Sequence, residues 1–339
     1  MDTDTANEID DQFTLAWTLL SQDRIKLEGV TAEPFSFQHL GRNMLLARDI
    51  VARGGPSTGV EHELVESYRS WLDGYEALGK TPDEIVFVPP EEGQDLSVKE
   101  IHTVYDKLGL SAAGKVFRGS EGYLKSLDAP LRTPAAEHII ERALAASDQP
   151  LYIAAIGCLT NLASALLIEP SIIKNIVVLW TSSYPSHAPH SNEPSLNLVQ
   201  DMLASQLLFA SGAAHVYLPG YHVGAQLRIS LPEMERFVRG KGAIGDYLYH
   251  LYTHNPIHEQ RGMLDTARKT WVIWDMINIA WLLNPKWVPT RLTRSPLLGD
   301  DYFWEHPQNS HLMREAYDID RDAIFMDFYD KLAAAEQGE

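Results

Sequence analysis

Apolar and polar positions along this chain follow two rhythms, and both are clearest in its middle third. LYIAAI (Leu151 to Ile156), IVVLW (Ile176 to Trp180) and HVYLP (His215 to Pro219) are continuous apolar runs bounded by turn residues. Runs of that length and composition predict strands buried on both faces. Between them, Pro134 to Ser147, LASALLIEP up to Pro170, and Asp201 to Ala210 carry their apolar residues at helical spacing. Strand–helix alternation of this kind predicts an α/β fold, with a mostly parallel central sheet flanked by helices on both faces and an open Rossmann-like core.

The same reading extends outward. Phe13, Ala16, Trp17 and Leu20 place a helix over Asp11 to Leu20, and LEGVTA (Leu27 to Ala32) reads as a short strand. Helices are predicted over Gly41 to Arg53, Glu61 to Leu78 and Val98 to Leu108, with a strand ending near Val116 and an undecided Pro- and acid-rich stretch from Thr81 to Gln94. Later helices cover Leu231 to Val238, Gly245 to Tyr252, Trp274 to Leu283 and Asp320 to Ala333. There is no internal repeat and no low-complexity linker, so one domain is expected over residues 1–339, with helical insertions around 61–110 and 231–270.

Charge narrows the partners. A formal net charge of −18 disfavours nucleic acid and anionic membranes, and suits a cation site or a neutral small molecule. One cysteine, Cys158, excludes an internal disulfide and a cysteine-based zinc site, and its default reading is buried packing. No apolar run reaches the ~20 residues of a membrane span, and the acidic start lacks a signal-peptide pattern, so a cytoplasmic protein is expected.

The acids are the candidate chemistry. The opening MDTDTANEIDDQFTLAW sets Asp2, Asp4, Glu8, Asp10 and Asp11 immediately before an apolar helix. They form either a solvated terminus or a site for a hard divalent cation. Asp275 heads the apolar stretch WDMINIAWLLNP. An ionised carboxylate there either caps the helix or faces a cation. Ligands of parallel sheets sit beyond the carboxyl ends of the strands, which directs attention to Thr160, the Thr181–Asn197 loop and Gly220 to Gly224. The loop histidines His187, His190, His222, His254 and His258 match no zinc spacing. A lid over His250 to Leu264 carrying one leaving-group acid is a further expectation.

DTDT alone matches the D-x-D-x-T/V signature of haloacid-dehalogenase-type phosphatases, with Asp2 as nucleophile. That family places an apolar strand before the motif, and the nearest downstream stretch, Gly299-Asp300-Asp301, departs from its pattern. The longer DTDTANEIDDQFTLAW resembles the opening of the nucleoside hydrolase family, inosine–uridine or purine preferring, with a loop two residues longer. EGVTAEPF, IGCLTNLASAL, NLVQD and VIWDMINIAWLLNP follow in that family's order. The resemblance implies hydrolysis of the N-glycosidic bond of a ribonucleoside by an enzyme whose Ca²⁺ is held by Asp4, Asp11, Asp275 and the Thr160 carbonyl. It implies that Asp4 is the general base and that Asp10 binds a ribose hydroxyl. Asn197 would contact the sugar, unless it caps a helix. Ser195 stands where the family has glutamate, so Glu193 is the substitute, and Ser182-Ser183 replaces a Gly-Gly pair. Trp274 would stack on the base as in purine-preferring members, unless it packs with Trp271 and Trp281. A dimer or tetramer is implied. The family's first aspartate follows a buried apolar strand; only Met1 stands there here, so that strand is expected to be missing. Glu8 is expected at the surface. The rival expectation is a degenerate relative that binds a nucleoside without cleaving it.

Overall fold

The computed structural model describes residues 1–84, 87–254 and 270–338. Six parallel strands come first along the chain: β1 (Asp2–Thr3), β2 (Val30–Ala32), β3 (Val116–Arg118), β4 (Leu151–Ala155), β5 (Ile176–Ser182) and β6 (His215–Pro219). Two antiparallel pairs, β7 (Arg228–Ser230) with β8 (Thr270–Val272) and β10 (Leu297–Leu298) with β11 (Trp304–Glu305), form small sheets of their own; β9 (Thr290–Arg294) and β12 (Leu312–Ala316) belong to the main sheet. The main sheet runs β3-β2-β1-β4-β5-β6-β12-β9, with β12 parallel to β6 and only the edge strand β9 antiparallel. The predicted fold class is therefore the observed one. The predicted strand spans at 151–156, 176–180 and 215–219 agree with β4, β5 and β6 to within two residues.

Side-chain alternation explains why those three runs read as apolar throughout. Along β5, Val178 and Trp180 enter one core while Leu179 enters the other; along β6, Tyr217 opposes Val216 and Leu218. Successive strand residues point to opposite faces, and here helices cover both. One core lies under α1 (Asp10–Leu19), the Met276–Leu283 helix and the C-terminal helix (Arg321–Gly338). The other lies under α5 (Pro134–Ala145), α6 (Thr160–Ile168) and α7 (Met202–Ser211). Burying one such leucine contributes about 1.5–3 kcal/mol. A third, smaller cluster joins α2 (Gln38–Ala52) to α3 (Gly59–Ala77) through Met44, Ile50, Tyr68 and Trp71.

Two expectations need correction. α4 runs over Pro90–Lys107, eight residues earlier than the predicted start at Val98; Pro90 at its first position and Glu91–Glu92 in its first turn are good helix-starting residues among prolines that read as loop. The strand before Asp4 is present. It is short and polar rather than apolar: Asp2 pairs with Thr31 on one side and Ala155 on the other, and Thr3 with Ala32. Thr31 and Ile156 donate their backbone N–H groups to Met1 and Asp2, and Glu33 donates to Thr3. The Asp2 side chain completes the anchorage, accepting from the Thr31 hydroxyl at 2.6 Å and the Asn161 amide at 3.0 Å.

Candidate active site

The carboxyl ends of β1, β4, β5 and β6 converge on one edge of the sheet. Asp4 follows β1, the Gly157–Thr160 turn follows β4, and Asn197 closes the long loop after β5. Asp10 and Asp11 open α1, so ten consecutive buried residues carry the helix from the site into the core. Asp275 precedes the Met276–Leu283 helix. That helix is fixed by Asn278, whose amide donates to the carbonyls of Ala155 and Leu179 and whose oxygen accepts from the Thr181 hydroxyl.

Asp10, Asp11 and Asp275 are all buried and each offers an oxygen within 4.8 Å of the others. Asp275 occupies the N-cap position but makes no side-chain capping hydrogen bond, so the capping alternative does not account for it. Asp11 accepts from the Thr3 hydroxyl through Oδ1, while its Oδ2 has no partner among the described residues. Asp4 accepts at Oδ2 from the Asn7 amide (2.9 Å) and the Gln200 amide (3.1 Å), and its Oδ1 is likewise buried without a partner among the described residues. Burial pushes the Asp4 carboxyl up to about 7. Burial, and then the neighbouring carboxylates, hold Asp11 and Asp275 well above the usual carboxylate range. Asp10 is raised first by burial and next by Glu8, which is half-buried rather than at the surface as expected.

Like charges packed this closely out of water stay ionised only beside a cation. Orphaned carboxylate oxygens on separate acids, with no lysine or arginine bonded to Asp4, Asp10, Asp11 or Asp275 among the described residues, are what an all-oxygen divalent-cation site requires. The residues fit such a group.

The loop from Asp4 to Asp10 is tightly set. Asn7 donates its backbone N–H to Asp4, and Ala6 sits at φ +90°, where a Cβ is unfavourable. Thr160 opens α6 and donates its hydroxyl to Asp201 at 2.7 Å. Asn197 is no cap: its amide donates to the carbonyls of Ile156 (3.0 Å) and Thr181 (3.2 Å), which ties the β4 and β5 ends together. Trp274 is half-buried and meets Tyr221 edge-to-face at 5.7 Å, so it is not simply a member of the apolar core. Ser182, Ser183, Ser195 and Asn192 form one hydrogen-bonded set across the loop. Glu193 lies apart from the acids in its bonding. Its Oε1 accepts from Asn43 of α2 (2.7 Å) and Tyr68 of α3 (2.8 Å), joining this loop to the helical pair. Of the lid expected over His250 to Leu264, residues 255–264 lie outside the described residues. Cys158 is fully buried, as its packing reading requires.

A cavity of about 670 Å³ opens at the opposite end of the sheet, lined by Arg24, Arg142, Leu151 and Trp281. It contains none of the clustered acids. The chemistry is assigned to the acids, because ligands of such sheets bind beyond the carboxyl ends.

The profile of the inosine-uridine preferring nucleoside hydrolase family matches residues 1–326. The chain belongs to this family. Its members are enzymes acting on N-ribosyl bonds, and the phosphatase reading of the opening aspartates falls away. In that reading Asp2 is the nucleophile, whereas here Asp2 is buried in β1 and bound to Thr31 and Asn161. Among solved structures, this nucleoside hydrolase chain is similar to a purine-preferring ribonucleoside hydrolase from Gardnerella vaginalis, with a TM-score of 0.62 and 15% identity over 100% of this chain and 98% of that one. It is also similar to an inosine-uridine preferring nucleoside hydrolase from Bacillus anthracis, with a TM-score of 0.57 and 16% identity over 97% and 96% of the two chains. At such identities these likenesses establish the fold. A curated relative, a probable uridine nucleosidase 2 of Arabidopsis thaliana, is 24% identical over 162 residues, 42% of this chain. The chain spans about half the length of that relative, 50%.

Proposed function

We propose that this protein hydrolyses the N-glycosidic bond of ribonucleosides, releasing base and ribose, with a divalent cation, Ca²⁺, held by Asp4, Asp11, Asp275 and the Thr160 carbonyl. The observation that carries this reading is the buried cluster of Asp10, Asp11 and Asp275 within 4.8 Å, with the charge of Asp4 acting on Asp11 and Asp275, in a member of this family. The match over residues 1–326 and the single eight-stranded sheet also support reading the chain as one domain.

Glycosidic cleavage builds positive charge on the ribose ring. The chemistry that a hard divalent cation supplies when bound is a lowered pKa for water and a grip on hydroxyl oxygens. Asp4 is the proton acceptor in this reading. Its Oδ2 is held by Asn7 and Gln200, and its Oδ1, which has no partner among the described residues, is the oxygen that would accept a proton from an attacking water. Asp10 would accept a hydrogen bond from a ribose hydroxyl, an interaction that strengthens as the ring becomes cationic. Asn197 keeps its amide oxygen for a sugar hydroxyl while its nitrogen holds the strand ends. Glu193, bound to Asn43 and Tyr68, would close the sugar pocket against the helical pair. Trp274, half-buried and roughly perpendicular to Tyr221, would stack on the base in this reading, which favours purines with their larger ring system. The names of relatives include both a purine-preferring ribonucleoside hydrolase and a probable uridine nucleosidase.

The test is release of reducing sugar from inosine and from uridine by the Ca²⁺-loaded protein, compared with Asp11→Asn. Sugar release that disappears in Asp11→Asn supports the reading. A folded, loaded protein that binds a nucleoside without cleaving it would make the chain a binding relative instead.

A further inference from the structure

Asp4 is bonded unevenly. Both of its described side-chain donors, Asn7 and Gln200, reach the same oxygen, Oδ2, and Oδ1 is buried with no partner among the described residues. Gln200 sits in the short turn LNLVQD, between Asn197, which holds the ends of β4 and β5, and Asp201, which accepts from Thr160 and from the backbone of Leu124. Its own amide cannot turn over. The Gln200 Oε1 accepts from the backbone N–H of Ser36 at 2.7 Å and from the Tyr123 hydroxyl at 2.8 Å. A flipped amide would set its NH₂ against the Ser36 N–H and its oxygen against a carboxylate. Two donors on one end therefore dictate a donor at the other.

We propose that Gln200 is a positioning residue for Asp4: locked by Ser36 and Tyr123, its amide N–H holds Oδ2 and thereby aims Oδ1 into the acid cluster. This rests on the reading of Asp4 as a cation ligand and proton acceptor. Gln200 touches neither substrate nor cation. It acts through the rotamer of one carboxylate, as partners behind a ligand commonly do. Glutamine is well suited to holding a carboxylate in this way, because it donates at every pH and a buried amide with all its partners satisfied is stiff.

The experiment compares wild type with Gln200→Met, which keeps the volume and loses the donor, and with Tyr123→Phe, which loosens the amide lock but leaves the Ser36 N–H in place. Leu198→Ala, a fully buried apolar residue of the same turn, is the packing control. Ca²⁺ affinity is measured by calorimetry on the metal-free proteins, and kcat and KM are measured separately on a cleaved nucleoside. Gln200→Met is expected to weaken Ca²⁺ binding by about 10–100-fold and to lower kcat more than it raises KM. Tyr123→Phe should move both in the same direction by less. The Leu198→Ala control should lower the thermal midpoint yet keep Ca²⁺ affinity within about threefold. Ca²⁺ affinity and kcat within twofold of wild type in Gln200→Met overturn the proposal, and so does an equal loss of affinity in the packing control. A wild type that binds Ca²⁺ but cleaves no nucleoside sinks the hydrolase reading alone, because the affinity comparison still decides the role of Gln200. A wild type without Ca²⁺ affinity overturns both.

Discussion

Gly157 and Asp4 are in contact so close that no side chain fits between them: a Cβ on Gly157 would lie 2.8 Å from Asp4 Oδ1 and 3.0 Å from its backbone nitrogen. The turn after β4 thus leaves no room for a side chain beside Asp4 Oδ1, the oxygen that has no partner among the described residues. Gly157→Ala must push that carboxylate, or the strand that carries it, out of place. We expect the variant to fold, with Ca²⁺ affinity lowered by at least about tenfold in calorimetric titration. Unchanged affinity would mean that Asp4 is not a ligand.

Asp275 carries a different prediction. It heads its helix without capping it, so Asp275→Asn should cost little helix stability and much cation affinity. The expected loss exceeds the ~10–100-fold typical of partners behind the ligands. Thermal melts with and without Ca²⁺ check this directly: the Ca²⁺-dependent rise in midpoint present in wild type should vanish in the variant.

The raised carboxyls set a pH dependence for the metal-free protein. Asp4 titrates near 3.8 when unfolded and at about 7 when folded, and Asp11 and Asp275 are shifted in the same direction. Between those values the folded state binds more protons than the unfolded one, so the stabilisation from protonation is complete below about pH 4 and is lost as pH rises toward 7. Asp4 alone accounts for up to about 1.4 kcal/mol per pH unit in that window. Denaturant melts of chelated protein should therefore show lower stability at pH 7 than at pH 5.5, and saturating Ca²⁺ should narrow the gap. A metal-free protein that gains stability over this range would contradict the electrostatics of the cluster.

Trp274→Ala tests the base site. Losing a stacking face costs about 1–3 kcal/mol per base. The kcat/KM for inosine should fall at least about fivefold more than that for uridine, with Ca²⁺ affinity retained. Equal losses would assign Trp274 to packing rather than to purine preference.

Much of this architecture is legible in the sequence because parallel strands bury both faces. HVYLP is all apolar or aromatic apart from its first residue, and β6 coincides with it. The last two strands at the β9 end of the sheet, β9 and β12, are not legible for the converse reason. In TRLTR and LMREA one face meets solvent, with Leu292 62% and Leu312 58% exposed, and charged residues interrupt any apolar run. At the site, the acids stand out because carboxylates ahead of apolar helices demand an explanation. Asn7, Gln200 and Asn278 carry no such signal. Amides in loops or inside a buried helix are common, and only the fold brings them to Asp4 and to the strand ends. The polarity of β1 hides it in the sequence, since Asp2 is held in its buried place by Thr31 and Asn161 rather than by apolar packing.

The most direct measurement is the rate of ribose release from inosine and uridine by protein stripped with a chelator and then titrated with Ca²⁺. Release should stop on stripping and return in full as Ca²⁺ fills the site, with Asp11→Asn and Asp275→Asn unable to recover. Full activity in the stripped protein, or a folded Ca²⁺-loaded protein that frees no ribose from either nucleoside, would contradict this.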